Sequence, residues 1–296
     1  MHYIIGGGIS GLIASLYNKD FKIISNDIGG QFGKKNLGPR ILQVSKSSFN
    51  LLNDLNLRAK TKTCKIGFKI GDHFVDSVSK EDRVKYYLKS RCINDINLSV
   101  QYKQEYSSSM SDGKSEIDYY DVSWQDIIEA LIERTSAPII GKVSKIDLVK
   151  KELTIVDENN LSFVNKYEKL ISTIPAPVFY KLSGKKYEFL RYASKLFVLS
   201  SNYDIKDYDY VYFPENKNKC NRITKVKDNL YSVEYTFINR NYLSFNTVNS
   251  IDMQMLPIGQ IISGSVEKLE NFEFLGRFAE WQHNVRITEV IEKSRR

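Results

Sequence analysis

The sequence predicts an α/β fold: a Rossmann-like unit opens the chain, and an antiparallel sheet is added further on. Two observations carry this. The segment IIGGGISGL, residues 4–12, sets a glycine-rich turn between a strand and a helix. After Pro175, short runs such as KLFVLSS, DYVYFPE and LYSVEYTF recur at regular spacing, as antiparallel strands do.

His2–Ile5 is a β-branched and aromatic run suited to a buried strand. Gly6, Gly8 and Gly11 follow with G-x-G-x-x-G spacing. Ser10–Asn18 predicts a helix that turns Leu12, Ile13 and Leu16 to the sheet, and Phe21–Ser25 predicts a second strand. The glycines thus fall inside a βαβ unit, the context in which this motif marks a dinucleotide site. Gly6 permits the tight turn, Gly8 lets backbone approach a pyrophosphate, and Gly11 lets helix and strand pack closely. The helix start at Ile9 and Ser10 supplies unpaired N–H groups and partial positive charge for the phosphates.

An acidic side chain normally ends the second strand and binds the ribose hydroxyls. Here Ser25 stands there, followed by Asn26 and Asp27. Either Asp27 acts from the next turn, or Ser25 and Asn26 make weaker neutral hydrogen bonds and Asp27 is a solvated turn residue.

NDIGGQFG, residues 26–33, adds a second glycine pair, with Gly30 followed by Gln31. This opening resembles the flavin-binding superfamily of amine oxidases, protoporphyrinogen oxidases and UDP-galactopyranose mutases. The resemblance continues through LGPRILQ (37–43), GKVSKIDLVKKELTIVDENN (141–160), YEKLISTIPAPVFYKL (167–182) and FEFLGRFAEWQHNVRITEVIEKS (272–294). It implies FAD, bound non-covalently, rather than a nicotinamide cofactor. Gly38, Pro39 and Arg40 would pass the flavin ring, and the backbone of Val143 would meet the adenine. Thr173 would end a strand in the Thr-x-Pro segment. Gly276, Arg277 and Trp281 would sit in the C-terminal turn, where Arg277 either reaches the FAD phosphates or forms a structural ion pair. Trp281 either stacks near the ring or belongs to the core.

The same resemblance implies a GR2-type FAD-binding domain made of residues 1–48, 126–178 and 256–296. A smaller α+β substrate domain, residues 49–125 and 179–255, would interleave with it. The local patterns agree: SSFNLLNDLNL is helical, IGFKIGDHFVD reads as paired strands, and Ser79–Cys92 is a helix with Ser79 as its N-cap. Tyr106–Glu116 is polar and reads as a loop. Ser123–Thr135 is a helix with Ile127, Ile128, Leu131 and Ile132 on its apolar face. The antiparallel strands after Pro175 would floor a chamber over the flavin.

Arg40, Tyr212 and Arg222 are the candidate catalytic residues. Arg40 would hold a carboxylate or phosphate, or else contact FAD itself. Arg222 follows a YFP strand and either faces the chamber or lies on the surface. Two departures from the resemblance matter. Arg40 and Gln43 replace the histidines of the mutases, which counts against mutase chemistry. Lys195 lies near the position of the amine-oxidase lysine but reads as out of register, and one step reverses its face.

The expected function is an FAD-dependent oxidoreductase that takes a hydride from a small amine-like or cyclic substrate. A flavin-dependent isomerase or lyase, and a flavoprotein docking on nucleic acid, are the alternatives. Three cysteines and three histidines are scattered, so neither a disulfide framework nor a metal site is expected. No apolar run of about 18 residues exists, so no membrane span is expected. The first strand starts at residue 2 or 3, which points away from a leader and toward the cytoplasm. The net charge of +8 is read first as a lysine-rich solvated surface, second as attraction to an anionic substrate or nucleic acid.

Overall fold

The computed structural model describes the 296-residue chain except residues 33–40, 93–114, 202, 216–219, 239–249 and 271. Gly38, Pro39 and Arg40, and most of the expected loop at 106–116, lie outside the described residues.

The chain opens with β1 (His2–Gly8), α1 (Ile9–Tyr17) and β2 (Phe21–Gly29). β1 is the centre of a five-stranded parallel sheet. It lies between β2 and β11 (Lys169–Ser172), with β7 (Ile139–Ile140) and β17 (Phe272–Phe274) at the edges. Both faces of β1 are buried, as a central parallel strand requires. Ile4 turns to a helical layer with Leu12, Ile13, Ile127 and Leu131. Tyr3 and Ile5 turn the other way, onto Ile155, Phe179 and Tyr180. That second layer is a three-stranded meander, β8 (Lys142–Asp147), β9 (Glu152–Val156) and β10 (Ser162–Lys166), with α5 (Ala176–Leu182) beside it.

β2 runs four residues beyond the expected end. Its pairing with β1 jumps from Ile5↔Ile24 to Gly7↔Ile28, so β2 bulges at Ser25–Asp27. The Ser25 hydroxyl closes this bulge, donating to the Asp27 carbonyl at 2.8 Å and accepting from its N–H at 3.3 Å.

The helical layer contains α1, α2 (Lys46–Asp54), α4 (Trp124–Arg134) and α6 (Ile287–Ser294). Ser45 caps α2 and Ser123 caps α4, each accepting the N–H three residues on at 3.0 Å. Ile127, Ile128 and Leu131 are buried, whereas Ile132, expected on the same face, is 42% exposed. α2 packs with Leu51 and Leu52 in the same core as Ile4, and the boundaries expected at 48 and 126 fall inside α2 and α4.

The second sheet has nine strands. Its path is β16 (Ser250–Ser263), β12 (Arg191–Ser200), β15 (Leu230–Phe237), β14 (Arg222–Lys227), β13 (Tyr210–Tyr212), β4 (Lys60–Ile70), β6 (Glu116–Asp121) and β3 (Leu42–Gln43). β5 (His73–Val75) pairs with β4 off this path. Every pairing is antiparallel except β13 with β4. β16 stays in this sheet to Ser263, past the boundary expected at 256. α3 (Lys80–Lys89) takes Ser79 as its cap, the hydroxyl accepting from the Asp82 N–H at 3.1 Å. Among the described residues no helix is long and apolar enough to cross a membrane, and no cluster of His, Cys, Asp and Glu is set to hold a metal.

Candidate functional site

A cavity of about 510 Å³ opens where the carboxyl ends of β1, β2 and β11 meet the second sheet. That edge is where α/β sheets bind ligands. The glycines explain its shape. A Cβ on Gly11 would lie 2.0 Å from the Gly6 carbonyl oxygen, so α1 can approach β1 only with glycine there. A Cβ on Gly8 would meet nothing within 4 Å: it would project into the cavity. Gly30 adopts φ +56° and lies against the first turn, its own Cβ position 3.0 Å from the Gly8 Cα. The two glycine motifs therefore form one cradle.

Its other walls are pinned by hydrogen bonds. The Thr173 hydroxyl lies 3.0 Å from the Ile5 carbonyl and 3.1 Å from that of Gly6, each within donating distance. Gly276 brings the C-terminal turn against α1, since a Cβ there would fall 2.6 Å from the Ser10 hydroxyl. Its N–H donates to Glu280 at 3.0 Å, and Glu280 is in turn paired with Lys293. Arg277 lines the cavity and donates through Nε to the Val285 carbonyl at 3.2 Å.

The second sheet supplies the opposite wall through its register. Phe197 faces Glu234, Glu234 faces Arg222, and Arg222 faces Tyr212, which lies beside Phe68. Paired residues share a face, so one row of side chains crosses five strands. Glu234 is 2% exposed in its side chain and pairs with both Arg222 and Lys195, the latter at 2.7 Å. Burial would raise the Glu234 carboxyl, but the two cations outweigh it and push it down to about 2. Burial lowers the Lys195 amine against the pull of Glu234. His283 is held far below the usual imidazole range, first by burial and then by Arg91, Arg277, Lys195 and Arg286. The site as a whole is electropositive.

Lys195 is a correction. It was expected out of register, yet it lines the cavity beside Phe197. The pairing of β12 with β16 shifts between Ala193↔Gln260 and Lys195↔Leu256, and Gly259, in the irregular stretch, lies against the lysine. A Cβ on Gly259 would be 2.6 Å from that of Lys195, so the glycine makes room for the side chain to turn inward.

A second cavity, of about 420 Å³, adjoins the first, and Phe32, Arg222, Arg277, Arg286 and Ile287 line both. Tyr210, Tyr212 and Gln43 belong to the second alone. The Tyr212 ring is held by Phe68, 5.5 Å away between centroids, and by Tyr86 at 4.8 Å.

The structure thus brings Gly6, Gly8, Ile9, Ser10, Ser25, Asp27, Gly30, Gln31, Thr173, Gly276 and Arg277 to the first cavity. Gly11 lies behind it as the helix spacer. Asn26 is exposed and does not line the cavity, because the β2 bulge turns it outward. Val143 and Trp281 lie in the core with Tyr3 and Ile5 and line neither cavity. The Trp281 indole donates to the Ser263 carbonyl at 2.8 Å, a structural bond. The sequence reading missed Phe197, Glu234 and Arg286. Glu234 left a trace: it is the single charge in LYSVEYTF, an otherwise apolar and hydroxylic strand.

No protein-family model matches the chain, and no curated protein matches its sequence. Solved structures share its fold. A reduced UDP-galactopyranose mutase superposes with a TM-score of 0.68 at 14% identity, over 99% of this chain and 91% of that one. A CLA-producing fatty acid isomerase from P. acnes gives 0.64 at 11% identity, over 99% and 96%. Cyclohexylamine oxidase from Brevibacterium oxydans gives 0.58 at 10% identity, over 99% and 96%. The chain shares the fold of these three proteins.

Proposed function

We propose that the chain is an FAD-dependent oxidoreductase that removes a hydride from a small cyclic or amine-like substrate. The observation that carries the reading is the double-glycine cradle. Gly8 leaves open a space that any side chain would fill, directly before the N-terminus of α1, and Gly30 closes over the same turn. Backbone N–H groups and partial positive charge at that helix start suit a pyrophosphate. Asp27 and Ser25 would take the ribose, Thr173 and Gly276 would frame the turn, and Arg277 would add charge near the phosphates.

FAD, when bound, supplies the hydride-accepting ring. The protein contributes position, charge and exclusion of water. Phe197 and Leu256 present apolar surface to the cavity, and Glu234 fixes the Lys195 ammonium and the Arg222 guanidinium on its wall. Fixed cations favour a negatively charged reduced ring, because they need no reorganisation as charge develops.

A second reading is an isomerase or lyase without net redox. It is supported by a mutase and a fatty acid isomerase among the structures that share the fold. One experiment separates the two. Purified protein is heat-denatured, and the released cofactor is identified by mass spectrometry as FAD. Native protein is then mixed anaerobically with cyclic amines and related compounds. Bleaching of the visible flavin band supports the oxidoreductase; conversion of a compound while the flavin ends oxidised supports the isomerase. NAD in the supernatant, or no dinucleotide affinity, would sink both.

The ribose assignment makes its own prediction. Asp27→Asn is expected to weaken FAD about tenfold, since a hydrogen bond to a charged group is worth about 1.5–3 kcal/mol. Equilibrium dialysis of the apoprotein against FAD checks this. Unchanged affinity would remove Asp27 from the site.

A further inference from the structure

We propose that the second cavity takes an organic oxyanion with an aromatic or apolar body, its carboxylate or phosphate held by Arg286. The assignment rests on the first cavity being the flavin site, and it names the substrate class of that same centre. Among the described residues that line the second cavity, three are arginines and none is acidic. The three differ in what they already hold. Arg222 is neutralised by Glu234. Arg277 is tied through Nε to the Val285 carbonyl. Arg286 donates from Nη1 to the Gln43 side-chain oxygen at 3.0 Å, a neutral acceptor. The nearby Glu289 carboxylate takes the Arg286 backbone N–H at 2.8 Å and the Thr288 hydroxyl at 2.9 Å, both on Oε2, at the start of α6.

Gln43 therefore orients the guanidinium without cancelling its charge. A guanidinium held by one neutral bond keeps donors for a bidentate oxyanion. The rest of the cavity suits an apolar body. Ile41, Ile66, Trp124, Tyr210 and Tyr212 line it. A substrate cation would meet three arginines here and, among the described lining residues, no carboxylate, so the wall discriminates against an ammonium group as well as for an anion.

The test is calorimetric titration of the purified holoprotein with benzoate, phenyl phosphate and benzylamine. Benzoate or phenyl phosphate is expected to bind and benzylamine is not; which of the two anions binds more tightly tells carboxylate from phosphate. Arg286→Gln is expected to weaken the anion about tenfold or more. Gln43→Glu is expected to do the same with every arginine intact, because it sets a carboxylate against the guanidinium. Anion affinity unchanged in both variants, or benzylamine binding more tightly than benzoate, overturns the proposal. Flavin absorbance of the same samples keeps the two readings apart. Normal FAD content without anion binding overturns the substrate class alone. Arg286-dependent anion binding by flavin-free protein overturns the cofactor reading alone. Loss of FAD together with the anion in Arg286→Gln assigns that arginine to the cofactor and overturns the proposal.

Discussion

Replacing Glu234 by Gln is expected to destabilise the protein by about 3–5 kcal/mol, the usual cost of removing one partner from a buried ion pair. Glu234 is the shared partner of two cations on the cavity wall, Lys195 and Arg222. Glutamine fills nearly the same volume, so packing is conserved and only the charge is lost. Two positive groups then face each other across β12, β15 and β14 with no negative charge from residue 234 between them. Urea denaturation with a constant slope measures the loss. A change below about 1 kcal/mol would mean that water or other groups already screen these charges. A triple variant identifies the origin of the cost. Lys195→Met, Arg222→Met and Glu234→Leu together are expected to restore most of the stability, because apolar replacement of a whole buried network is often neutral.

The same carboxylate predicts a pH dependence. Its folded value is pushed down to about 2 from an ordinary value near 4.5. In the window between these values the unfolded chain binds the proton and the folded one does not, so stability rises with pH. The contribution of Glu234 is present above about pH 4.5 and is lost as pH falls toward 2. The stability gap between wild type and Glu234→Gln is therefore expected to close on acidification through that window. A gap that stays constant with pH would show that Glu234 acts by packing rather than by charge.

How far the sequence carried the site depends on the kind of information needed. The glycine cradle is local. Gly6, Gly8 and Gly11 lie within one turn and its helix, so spacing alone specifies their geometry. Ser79 and Ser123 are equally local, and both cap the helices expected of them. The chamber wall is non-local. Phe197, Glu234, Arg222, Tyr212 and Phe68 come together through four strand pairings, and a residue's face there depends on every intervening bulge. That is why Lys195 was read onto the wrong face: the shift beside it lies against a strand distant in sequence, where Gly259 leaves it room. Trp281 was left open between ring and core, and the core is where it lies: its indole N–H needs a partner and finds one at Ser263.

Gly8→Val is expected to fold as wild type and to carry no FAD, whereas Gly11→Val is expected not to fold. Both positions belong to one motif, yet their surroundings are opposite. Gly8 has extended backbone, φ −72°, which valine adopts without strain, and beyond its chain neighbours no atom of the described residues lies within 4 Å of its Cβ position. The methyl groups would enter only the space assigned to the pyrophosphate. Gly11 is enclosed: a Cβ would lie 2.0 Å from the Gly6 carbonyl oxygen and 3.2 Å from the Thr173 hydroxyl. Relieving that overlap would pull α1 from β1 and open the core around Ile4, Leu12 and Ile13, each at most 1% exposed. Circular dichroism and thermal melting of the apoproteins report folding, and flavin released on heating reports the cofactor. A Gly8→Val protein that still holds FAD would place the phosphates elsewhere and remove the basis for the proposed function. A Gly8→Val protein that folds and is colourless would tie the loss to the cavity itself, because among the described residues a side chain here meets nothing but that space.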